Sequence, residues 1–65
     1  MIKLTKLDGK VFYLNPNLVE TIEPTPDTVI TLAGGRKLLV QESAETVVEK
    51  ILVFRRTSNI KLLEN

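Results

Sequence analysis

Two short glycine turns, Asp8-Gly9 and Gly34-Gly35, each lie between stretches rich in apolar and β-branched residues, and they constrain the fold more than anything else in the chain. Glycine adopts the positive φ of a tight two-residue turn at little steric cost, so each pair reads as the tip of an antiparallel hairpin. Strands are expected over about 2–7 and 10–14 around the first turn, and over about 28–33 and 36–41 around the second. Between the hairpins, Asn15-Pro16-Asn17 cannot continue a ladder, because proline lacks the amide donor and asparagine favours local side-chain turns. A further strand over about 18–23 follows, and Pro24-Thr25-Pro26-Asp27 closes it.

The period of the apolar residues then changes. Ser43 is placed to cap a helix, Glu45 lies in the first turn where a carboxylate suits the macrodipole, and Val47, Val48, Ile51 and Leu52 follow helical spacing. One amphipathic helix is expected over about 44–56, with Arg55 and Arg56 in its last turn and Thr57-Ser58-Asn59 as a stop; the tail over 57–65 carries no clear pattern. The expected class is α+β, a small antiparallel β-meander of four to five strands with one C-terminal helix packed on it, in a single domain over 1–65.

Two-residue loops would fix the pairing. At Gly34-Gly35 they set Ile30 opposite Leu39 and Val29 opposite Val40, with Ile30, Leu32 and Leu39 on one face and Val29, Leu38 and Val40 on the other. At Asp8-Gly9 they place Ile2, Leu4, Val11 and Tyr13 on one face and Leu7, Phe12 and Leu14 on the other. Both faces are then apolar, and one helix cannot cover two. Either the sheet curls into a small barrel, or a second copy or another protein covers the open side; the second is the expectation carried forward. A chain of 65 residues with neither Cys nor His lacks disulfide and thiolate staples and the commonest metal ligand, which also points to a homo-oligomer or partner complex.

The same two absences remove the usual general base, the thiol nucleophile and transition-metal sites, and no cofactor or catalytic residue is expected. Glu20 and Glu23 fall on opposite faces of their strand, and Asp27 sits in a turn, where a carboxylate ordinarily bonds its own backbone. Gly34-Gly35-Arg36-Lys37 lacks the spacing and the following helix of a phosphate loop. Arg36 and Lys37 at the hairpin tip could meet nucleic acid or an acidic partner, although such pairs are ordinarily solvated. With Val29, Leu38 and Val40, they make the candidate interaction surface.

A net charge of +1 and only three aromatics, Phe12, Tyr13 and Phe54, give little basis for nucleic-acid binding. The longest apolar runs, Val11 to Leu14 and Ile51 to Phe54, are far short of the roughly 20 residues of a membrane span. No membrane insertion is expected, and the expected location is the cytoplasm.

The strings Met1-Ile2-Lys3-Leu4-Thr5-Lys6-Leu7, Leu14-Asn15-Pro16-Asn17-Leu18-Val19-Glu20 and Thr25-Pro26-Asp27-Thr28-Val29-Ile30-Thr31-Leu32, with Gly9, Phe12, Ile22-Glu23, Gly35, Lys37 and Glu42-Ser43, resemble the FlbD/SwrD family of small bacterial flagellar proteins. The resemblance covers residues 1 to about 54. It implies a non-enzymatic protein supporting flagellar motor output and swarming, at the cytoplasmic side of the motor, with a motor-associated protein as its partner. A second likeness, Leu4-Thr5-Lys6-x-x-Gly9-Lys10, is to the opening of the carbon storage regulator family of RNA-binding proteins. Gln41-Glu42 stands where that family has a basic segment before its helix.

Overall fold

The computed structural model describes the backbone of residues 1–64 and the side chains of residues 1–57. Its elements are β1 (Ile2–Thr5), β2 (Val11–Leu14), a 3-10 turn (Pro16–Leu18), β3 (Val19–Glu23), β4 (Thr28–Leu32), β5 (Lys37–Val40) and α1 (Ala44–Glu64). The strands are antiparallel and form two sheets, β1-β2 and β3-β4-β5, and the helix packs on them, so the class is α+β as expected.

Both glycine turns form, but each holds three residues rather than two. Gly9 N–H donates to Lys6 O at 2.9 Å and Lys6 N–H to Lys10 O at 2.8 Å, enclosing Leu7, Asp8 and Gly9. In the same way Gly35 N–H donates to Leu32 O at 2.9 Å and Leu32 N–H to Arg36 O at 2.7 Å, enclosing Ala33, Gly34 and Gly35. The last residue of each loop has positive φ, +93° at Gly9 and +88° at Gly35, as a glycine bulge requires. The pairing therefore shifts by one residue from the expected register: Ile2 faces Leu14, Leu4 faces Phe12, Thr28 faces Val40 and Ile30 faces Leu38.

That shift sorts the side chains. Ile2, Leu4, Phe12 and Leu14 now share an inner face, as do Thr28, Ile30, Leu32, Leu38 and Val40, while Lys3, Val11, Tyr13, Lys37 and Leu39 turn outward. The expected grouping of Val29 with Leu38 and Val40 is thus corrected: Val40 and Leu38 point inward, and Val29 lies on the opposite face. The reason is burial. With the inner face of β4 kept, a two-residue loop would turn Lys37 inward and expel Val40; exposing Val40 alone would cost about 1.5–3 kcal/mol, and an unpaired buried ammonium would cost more. The argument that a second apolar sheet face demands a covering partner falls with that register.

One core serves both sheets. Ile2, Leu4, Leu14, Ile30, Leu32 and Val40 meet Val47 and Ile51 of the helix, with Phe12, Val19, Ile22, Leu38 and Phe54 packed around them. Leu4, Ile30 and Val47 are wholly inaccessible, at 0% exposure. The sheets meet at one corner, where Lys6 bridges to Val40 and Gln41 N–H donates to Thr5 O at 2.8 Å. On the other side the 3-10 turn links them. Asn15 Oδ1 accepts from Asn17 N–H at 3.0 Å, Pro16 is buried, and Ala33 N–H donates to Leu18 O at 2.8 Å. The strands of both sheets line this shared interior.

Ser43 caps α1 as expected. Its Oγ accepts from Thr46 N–H at 3.2 Å and its O from Val47 N–H at 3.0 Å. The helix does not stop at 56, however. Thr57, Ser58 and Asn59 each cost only a few tenths of a kcal/mol relative to good helix formers, and neither glycine nor proline follows, so the backbone stays helical to Glu64. Asn65 lies outside the described residues.

Candidate interaction surface

Between β2 with the 3-10 turn on one side and the facing ends of β4 and β5 on the other, the inner faces of the two sheets part and leave a groove of about 340 Å³. Its apolar lining includes Phe12, Leu18, Leu32 and Leu38, and two cations, Lys6 and Arg36, border it. Among the described residues no carboxylate lines this groove. A neighbouring depression of about 380 Å³ shares Lys6, Phe12 and Leu38 and adds Lys37, Leu7, Leu39 and Asp8. Asp8 is already engaged, because its Oδ1 accepts from Lys10 N–H at 3.0 Å in the turn. Lys6 Nζ stands 5.7 Å from the centroid of the Phe12 ring, a cation over an aromatic face worth about 0.5–1 kcal/mol at an exposed site.

The candidate residues read from the sequence separate. Arg36, Lys37 and Leu38 gather along this connected surface, with Leu38 half-buried and the two cations exposed. Val40, at 1% exposure, belongs to the core and is closed to any partner, and Val29 is half-buried on the far side of the sheet. Sequence reasoning missed Lys6 and Phe12 as members of the surface. They join it only because Lys6 bridges to Val40 across the chain, a contact that no local pattern signals.

The corner where the two sheets meet is held by a second pair that sequence reasoning missed. Thr5 N–H donates to Glu42 Oε1 at 3.0 Å and the Thr5 hydroxyl to Oε2 at 2.9 Å, so one carboxylate joins the end of β1 to the segment entering the helix. Partial desolvation works to raise the Glu42 carboxyl, but the donors from Thr5 and its own backbone N–H, helped by the Lys50 charge, outweigh it and hold it below its ordinary value. Gln41 Nε2 adds a bond to Leu7 O at 3.3 Å across the same junction.

A larger cavity of about 550 Å³ lies between β1 and α1, but its border mixes Lys3, Lys50 and Glu49 and so selects no charge type. Among the described residues no three His, Cys, Asp or Glu side chains gather as a metal site requires, and no helix is long and apolar enough to cross a membrane.

Fold and surface together define a small α+β module that presents a cation-bordered apolar groove. The chain belongs to the FlbD family, the flagellar and swarming motility proteins, whose family model matches residues 1–58. No curated protein and no solved structure matches it.

Proposed function

We propose that this chain is a non-enzymatic flagellar accessory protein that supports motor output and swarming by binding a motor-associated protein on the cytoplasmic side. The observation that carries the reading is the family match over residues 1–58. The groove beside Lys6, Arg36 and Leu38 supports the reading: an apolar floor with cations and, among the described residues, no lining carboxylate suits a partner segment that carries apolar side chains and a carboxylate. Such a partner gains area from Phe12 and Leu38 and orientation from the two cations.

The test is affinity capture from motile cells with the tagged chain and with a Lys6→Glu/Arg36→Glu variant, each with and without nuclease. A flagellar motor protein should be retained by the wild type after nuclease treatment, and its retention by the variant should fall about tenfold or more, since opposed charges become like charges. Equal retention by both chains would overturn the groove. Loss of binding on nuclease treatment, with an RNA recovered instead, would overturn the protein partner.

A further inference from the structure

The outward stripe of α1 has a use that the groove does not explain. Val47, Ile51 and Phe54 face the core, whereas Val48 and Leu52, one turn apart on the other side, are 43% and 53% exposed. Charges along this stripe are segregated. Glu45 and Glu49 precede Leu52, and Arg55 and Arg56 follow it. Within the helix these charges cannot satisfy one another. Opposite charges pair at spacings of three or four residues, yet Glu49 has Glu45 at four, and Glu49 and Arg55 are six apart. An acidic half, an apolar centre and a basic half make a surface that is complementary to itself when reversed.

We infer that α1 pairs with a second copy of this chain in antiparallel fashion through Val48 and Leu52, with Glu49 of each copy facing the partner's Arg56. A two-fold axis at Leu52 sets Leu52 against the partner's Leu52 and, because residues seven apart share a flank of the helix, brings Glu49 to the partner's Arg56, three and four residues from the axis. On the other flank it sets Val48 beside the partner's Arg55, whose aliphatic stem can cover it while its head stays in water. A shallow depression of about 430 Å³ on this stripe, between Pro24 and Val48, leaves room for that side chain. The helix has 21 residues and so runs about 31 Å, long enough for several turns of contact. One helix pair is at the small end of specific interfaces, so dimerisation on the order of micromolar to sub-millimolar is expected. The groove lies on other elements, and its occupancy is independent of this pairing.

Sedimentation equilibrium of the full chain from about 10 µM to about 1 mM tests it. The average mass should rise toward twice the chain mass. Glu49→Arg should weaken association about tenfold by setting like charges together, Arg56→Glu should do the same, and the double swap Glu49→Arg/Arg56→Glu should restore it. Leu52→Glu, an exposed change that spares the core, should leave a folded monomer. A mass that stays monomeric throughout the range, a dimer indifferent to Leu52→Glu, or a double swap no better than either single change would each overturn the inference.

Discussion

The two hairpins end in loops of the same length and hydrogen-bonding pattern, yet their strands are embedded very differently. In β4, Thr28, Ile30 and Leu32 are all buried, and the strand has β3 on one side and β5 on the other. In β2 only Leu14 is buried, and the strand pairs with β1 alone. The turns differ as well. The first is braced by the Asp8 side chain, and the second relies on two consecutive glycines with positive φ, +91° at Gly34 and +88° at Gly35. A turn can select a register, but the stability that depends on it comes from the neighbours the strands acquire.

The largest contrast should come from truncating an inward residue of β4 and an outward one of β2. Ile30→Ala removes a wholly buried side chain from β4 and should destabilise by about 3 kcal/mol, whereas Val11→Ala on exposed β2 should cost about 0.5 kcal/mol. Denaturant melts of the two variants would measure the gap, and near-equal losses would break the comparison. Next come the turns. Open space surrounds both Gly9 and Gly35, so a substituent there meets only the backbone penalty. Gly35→Val and Gly9→Val should each cost about 1–2 kcal/mol or more, and Gly9→Asn distinctly less, because asparagine tolerates positive φ.

The corner between the hairpins should respond by about 1 kcal/mol. Glu42→Gln keeps the shape but weakens both bonds to Thr5, and the expected loss is about 1 kcal/mol for a half-exposed site. Its pH dependence has a definite sign. Because folding lowers the Glu42 pKa from its ordinary 4.5, the carboxylate's contribution is fully present above that value and disappears as pH falls through the lower folded value. Stability curves of wild type and Glu42→Gln should therefore converge in acid below about pH 4.5 and separate above it. Smallest of all, Asp8→Ala should cost about 0.5–1 kcal/mol, the worth of one exposed turn bond, and should leave the β4-β5 hairpin untouched by hydrogen exchange.

Element order was legible in the sequence because it rests on local chemistry: glycine at positive φ, the Asn15 side-chain turn, the Ser43 cap and the spacing of Val47, Val48, Ile51 and Leu52. Register was not, because a glycine with positive φ serves a two-residue turn and a three-residue bulged loop equally well. Only the side chains at risk, Val40 and Lys37, decide between them, and that decision needs the assembled core. The groove was half legible. Arg36, Lys37 and Leu38 are adjacent in sequence, but Lys6 and Phe12 reach them through a bridge between residues 6 and 40. The Thr5 to Glu42 bonds join residues still further apart. The helix runs past Thr57 because three weak helix formers without glycine or proline do not end it.

The most direct test sets the groove against the opposite face of the sheet in a living cell. In a strain lacking the gene, the Lys6→Glu/Arg36→Glu variant should accumulate as a folded protein but fail to restore swarming, with flagellar number unchanged. Val29→Lys, on the far face, should restore it. Full swarming with the groove variant, or its loss with Val29→Lys at equal protein level, would contradict the account.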